Sequence, residues 1–213
     1  AFLSEKYLPA STPVDGVGRE RYAAFSRLYN GAELDLDEAY EWGWAELERI
    51  EEQMAIVAER ILPGAGLSEV VELLETDPSR SIEGPDAFRG WLQELLDKTI
   101  SDLNETHFDI PERVQRVEAM IAPPGGGAAM YYTGPSEDFS RPGRTWYPTQ
   151  GHTLFPLWGE VSTCYHEGVP GHHLQIAQVV HLGERMTRFQ RTLGWNSGHG
   201  EGWALYAERL MGE

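Results

Sequence analysis

Three of the chain's seven histidines fall within the run Tyr165-His166-Glu167-Gly168-Val169-Pro170-Gly171-His172-His173-Leu174-Gln175. Neutral imidazole is the commonest protein ligand for a metal, and a His-Glu pair on a helix is half of the zinc-peptidase pattern His-Glu-x-x-His. In that pattern the two histidines share a helix face and the glutamate acts as a base. Here the position four after His166 is Pro170, and the next histidines are His172 and His173. An ideal helix advances about 100° and about 1.5 Å per residue, so His172 would point about 120° away from His166. His173 would share its face but lie about 10 Å further along. Neither could join His166 on one tetrahedral ion if the helix ran straight. Pro170 cannot donate a helical hydrogen bond, Val169 is biased to extended dihedrals, and Gly168 and Gly171 tolerate unusual backbone angles. The backbone is therefore expected to leave regular helix between Glu167 and Gly171. His172 then takes the place of the second histidine, and His173 faces away toward packing or a hydrogen bond.

This stretch resembles the bacterial family called "domain of unknown function 885", whose members show His-Glu-x-x-Pro-Gly-His-His-Leu-Gln. The similarity extends upstream to Ala128-Ala129-Met130-Tyr131-Tyr132-Thr133-Gly134-Pro135-Ser136 and downstream to Glu201-Gly202-Trp203-Ala204-Leu205-Tyr206-Ala207-Glu208. More weakly it reaches Tyr7-Leu8-Pro9, so it covers nearly the whole chain. The resemblance groups the chain with gluzincin-type zinc metallopeptidases, which take a third ligand from a glutamate on a following helix. It implies Zn2+ held by His166, His172 and Glu201, with one position left for water. Glu167 would take a proton from that water and deliver it to the leaving amine of a peptide or small amide substrate. Glu208 lies two helical turns beyond Glu201 on one face and would support a histidine from behind, although an ordinary surface glutamate fits it as well. His199 is the reserve ligand. In such peptidases an edge strand beside the metal helix holds the substrate extended. That assigns substrate binding to residues 128–133, with Tyr131 and Tyr132, by β-addition. Without the resemblance an ordinary edge strand fits equally well.

Two rival functions remain at this level. One is a metal-binding protein with the ligands and no turnover. The other is a thiol hydrolase using Cys164 with His166, against which stands the fact that helical residues two apart do not face each other.

The elements that must position these groups are mostly helical. Residues 19–29 place Tyr22, Phe25, Leu28 and Tyr29 on one face. A long helix capped by Asp35 or Asp37 runs to about residue 62, with Leu36, Tyr40, Trp44, Leu47, Ile50, Met54, Val57 and Ile61 spaced for core packing. A short helix follows at about 67–75, then a turn at Asp77-Pro78. Asp86 is expected to cap a further helix with Phe88, Trp91, Leu92, Leu95, Leu96, Ile100 and Leu103 inward. His107 stands alone and reads as a solvated or capping residue. Near Pro111 the character changes. Val114, Val117, Met120 and Ile121 suggest an extended segment, and residues 128–133 and 144–148 read as strands of a small antiparallel sheet. Between them Gly125-Gly126-Gly127 lacks the Gly-Lys-Ser/Thr of a phosphate loop, which leaves close backbone packing or a flexible rim. Residues 154–167 read as helix again, with Leu157, Trp158, Val161, Cys164 and Tyr165 apolar. Burying His166 and Glu167 there is costly unless each has a partner, and a metal with a bound water supplies both.

The whole is expected to be a mainly α-helical α+β fold with a gluzincin-like core. Residues 1–110 form a helical scaffold and 111–213 the metal-site region, as parts of one larger catalytic domain. At 213 residues with a formal charge of −17, the chain can bury a proper core and is a poor partner for nucleic acid. The single Cys164 excludes an internal disulfide framework and suits a reducing, cytoplasmic compartment. No membrane span is visible. Opening on Ala1 and closing on Glu213 inside a helical pattern, the chain reads as a fragment, for which a secreted or lipoprotein form stays open.

Overall fold

The computed structural model describes residues 1–125 and 127–212, so the Gly126 part of the expected glycine rim lies outside it. A π-helical turn at Leu3–Tyr7 runs into α1 (Leu8–Ala10), followed by α2 (Arg19–Asn30), α3 (Leu36–Ile61) and α4 (Leu67–Thr76). Local chemistry sets these ends. Asp35 caps α3 by accepting from the backbone N–H groups of Asp37 and Glu38, and Gly31 closes α2 at φ 68°, in the left-handed region. After a 3-10 turn come β1 (Ser81–Glu83) and α5 (Pro85–Leu103). Asp86 does not cap α5. The cap position is Gly84 at φ 90°, Pro85 is the first helical residue, and Asp86 sits within the first turn, where its charge favours the helix dipole.

The strands are β2 (Val117–Ile121), β3 (Tyr131–Thr133), β4 (Gly143–Tyr147) and β5 (Leu154–Pro156). The sheet is mixed rather than antiparallel: its order is β2-β4-β3, with β2 parallel to β4 and β3 antiparallel to it. The chain passes beyond the central position before β3 and returns to fill it with β4, so β3 is left at the edge. Residues 154–156, expected to open a helix, instead pair with β1 in the register Ser81↔Pro156. That pairing explains why Phe155 turns inward and stacks on Phe88 of α5, ring centroids 4.3 Å apart. The helices α6 (Glu160–Glu167), α7 (His172–His181), α8 (Arg188–Thr192) and α9 (Ser197–Leu210) complete the chain.

The core centres on α5. Phe88, Leu92, Leu96, Ile100 and Leu103 are buried on one face. They meet Val117 and Ala119 of β2, Tyr147 of β4, Cys164 of α6 and Leu174 and Ala177 of α7 in one cluster. Full burial of each large aliphatic or aromatic side chain contributes about 1.5–3 kcal/mol. The cluster joins α5, before position 110, to β2, β4, α6 and α7 after it, while α3 and α4 meet in a separate small cluster.

The stripe on α3 behaves otherwise. Only Ala58 is buried on that helix, against Val70 and Leu74 of α4, while Trp44 is 52% and Met54 42% exposed. The expectation that the stripe packs into a core is not met among the described residues, because α4 covers only its C-terminal end. Among the described residues no helix is long and apolar enough to cross a membrane.

Candidate metal centre

The backbone leaves helix where Pro170 requires it. α6 ends at Glu167, α7 begins at His172, and the Val169–Pro170 peptide between them is cis. The break is held by Gly171 N–H donating to Tyr165 C=O at 3.0 Å and His173 N–H donating to Gly168 C=O at 3.0 Å. From α9, Trp203 Nε1 donates to Pro170 C=O at 2.8 Å. Gly168 and Gly171 are not left-handed; their φ angles are −97° and −72°. Close approach requires glycine instead. A Cβ at Gly168 would meet Leu96 and the Cys164 carbonyl, and one at Gly171 would fall on the carbonyls of His166 and Tyr165.

The break turns two histidines toward one point. His166 Nε2 and His172 Nε2 each lie 3.4 Å from Glu201 Oε2, with the rings nearly perpendicular and their centroids 4.7 Å apart. Among the described residues these three side chains form a group whose donor atoms all lie within 4.8 Å of one another. Zinc bonds of about 2.0–2.1 Å at tetrahedral angles put neighbouring ligand atoms about 3.4 Å apart, so the donor set and both His–Glu edges fit that ion. Two nitrogen donors fit calcium or magnesium poorly, since those prefer oxygen shells.

Glu208 Oε1 lies 2.7 Å from His166 Nδ1. A carboxylate can only accept, so Nδ1 carries a proton, and Nε2 is the ring nitrogen left to act as a ligand. Burial lowers the His172 pKa, which favours the neutral ring that a ligand needs. Glu167 is buried beside the group, and burial pushes its carboxyl up to about 6; His166 opposes the shift, while Glu201 and Glu208 add to it.

His166, Glu167, His172 and Glu201 line a cleft of about 520 Å³ with Tyr131 and Tyr132 of β3. Tyr132 borders the cleft, and its hydroxyl lies 2.9 Å from His173 Nδ1, which takes up its one donor. Tyr131 stacks on Trp146, centroids 5.9 Å apart. His173 faces away from the three donors and is fully buried. His199 stands outside the group, exposed, with Nδ1 3.3 Å from Gln175 Nε2. His107 is exposed beside Thr106, as expected of a solvated residue. Cys164 is buried, and burial pushes its thiol up to about 12, against a thiolate nucleophile. Four residues of the site were not singled out from the sequence. Trp195 packs edge-on to His172 at 5.8 Å, Ile176 and Met130 wall the cleft, and Trp203 ties α9 to the break. Trp203 lies within the downstream block that resembles the family; nothing in the sequence marks Trp195.

The family model described as "Bacterial protein of unknown function (DUF885)" matches residues 1–213. Among solved structures, the chain is similar to "the putative lipoprotein from Colwellia psychrerythraea", with a TM-score of 0.76 and 24% identity. The likeness covers 90% of this chain and 33% of that one, so the chain spans about a third of the relative's length. At this identity it shows the fold alone. No curated protein matches the sequence.

Proposed function

The chain belongs to that bacterial family, and we propose that it carries the zinc centre of a metallohydrolase, a peptidase acting on peptide or small amide bonds. The observation that carries this reading is the convergence of His166 Nε2, His172 Nε2 and Glu201 Oε2, with Glu167 beside them in an open cleft. When bound, zinc supplies a Lewis acid that polarises a carbonyl and lowers the pKa of a bound water to about 7.

The chain's own residues do the rest. Glu208 accepts a hydrogen bond from His166 Nδ1–H and so fixes that ring's orientation. A carboxylate oxygen of Glu167 accepts a proton from the attacking water and returns it to the leaving amine. The outer edge of β3 offers backbone N–H and C=O groups to an extended peptide. This division of labour resembles the gluzincin-type plan. The bare stripe of α3 and the length of the solved relative support reading these residues as part of a longer protein.

Metal analysis of the purified chain tests the reading. About one zinc per chain, lost on His166→Ala, is expected, together with cleavage of a casein-derived peptide mixture followed by mass spectrometry. A chain that retains no zinc after loading and desalting sinks the proposal. One that retains zinc and cleaves nothing is a metal-binding protein without turnover.

A further inference from the structure

The edge strand β3 and the metal ligands sit on different elements, so some contact must fix the gap between them. His172 and His173 open α7, and their side chains diverge: His172 enters the donor group, and His173 goes inward, wholly buried. His173 Nε2 lies 2.6 Å from the Val114 carbonyl oxygen, which can only accept, so Nε2 carries the ring proton. Nδ1 is then an acceptor, and the Tyr132 hydroxyl, 2.9 Å away, donates to it. The two rings meet edge to face at 5.6 Å. Gly143 of β4 leaves them room, since a Cβ there would fall on both the Tyr132 hydroxyl and His173 Nδ1.

One imidazole thus ties three pieces of chain together: the turn at Val114, the edge strand through Tyr132, and the first turn of α7 that carries His172. On the basis of the zinc centre proposed above, we propose that Tyr132 and His173 are positioning residues. Their hydrogen bond sets the distance between the free edge of β3 and the metal ligands, and so the reach available to an extended peptide bound to both. Tyr132 acts through His173 and does not touch the substrate with its hydroxyl. A site of this kind is sensitive to small displacements, because a misplacement of about 1 Å can cost about a hundredfold.

Two metal-directed probes separate positioning from folding. Acetohydroxamate reaches only the ion, whereas a hydroxamate carrying a tripeptide arm also reaches β3. Both affinities are measured by calorimetry on the zinc-loaded full chain. Tyr132→Phe, which removes one oxygen and keeps the ring, should bind zinc and acetohydroxamate within about threefold of the parent. The extra affinity supplied by the peptide arm should fall about tenfold or more. His173→Leu fills the same space without either bond and should lose the arm's contribution to the same extent, with the double variant losing no more than either single one. An arm contribution unchanged in both variants, or equal weakening of both probes, overturns the positioning role. A parent chain that binds zinc and both probes with equal affinity overturns it too and leaves the zinc centre standing. A parent that takes up no zinc removes the zinc centre and this role together.

Discussion

Glu208 Oε1 lies 2.7 Å from His166 Nδ1, while His166 Nε2, on the other side of the ring, lies 3.4 Å from Glu201 Oε2. A carboxylate on one ring nitrogen and a candidate ligand site at the other is the arrangement that fixes tautomer and ring direction together. Glu208→Ala should therefore weaken zinc binding by about 10–100-fold in a chelator competition, with the fold retained. An unchanged zinc affinity would make Glu208 an ordinary surface glutamate.

Glu167 sits beside the donor group without belonging to it. Glu167→Gln should keep the zinc stoichiometry and reduce peptide cleavage by about a hundredfold to ten-thousandfold. Near-normal turnover would remove Glu167 from the chemistry, and loss of metal would make it a ligand.

Gly171 is pressed against the carbonyls of His166 and Tyr165. Gly171→Ala must displace backbone rather than a flexible side chain, at a cost of about 1–3 kcal/mol or more. Thermal denaturation should show a lower melting temperature, and zinc affinity should fall with it, because the same displacement parts His166 from His172. A variant as stable as the parent would show that the break tolerates a side chain.

Two apolar stripes of similar periodicity should respond in opposite ways. Leu92, fully buried on α5, should cost about 2–5 kcal/mol when changed to alanine. Trp44, 52% exposed on α3, should change the stability of these 213 residues by no more than about 0.5 kcal/mol when changed to glutamine. Urea denaturation of the two variants measures both; a large loss from Trp44→Gln would mean that the stripe is covered.

Glu160, at the start of α6, has its pKa raised by burial and by the nearby Glu75 carboxylate, and its Oε2 has no hydrogen-bond partner among the described residues. The folded state therefore holds this proton more tightly than the unfolded state, whose carboxyl titrates at about 4.3. Stability should fall as the pH rises from that value through the folded pKa, and stay reduced above it. Glu160→Gln should flatten that part of the pH–stability curve and raise the melting temperature at neutral pH. An identical pH dependence in the variant would remove Glu160 as its source.

The sequence by itself determined what local chemistry governs. Pro170 lacks an N–H, so a helix break between Glu167 and His172 could be read directly, and with it the choice of His172 over His173. The inward face of α5 was equally legible, since five buried residues recur at helical spacing. A carboxylate cap for α3 was legible because a carboxylate ahead of an amphipathic run has free N–H groups to meet, although only the structure chose Asp35 over Asp37. Tertiary structure decided the rest, because periodicity records that a face is apolar and not what lies against it. The stripe of α3 is as regular as that of α5 and remains mostly bare. Alternation in β2 and β4 fits either direction of pairing, so their parallel register had to come from the path of the chain. The hydrogen bond from the Tyr132 hydroxyl to His173, 41 residues away, depends on how β3 lies against α7. The 3.4 Å from Glu201 to each histidine spans 29 residues to His172 and 35 to His166. That distance follows from α9 packing on α6 and α7, which no spacing within the motif could specify.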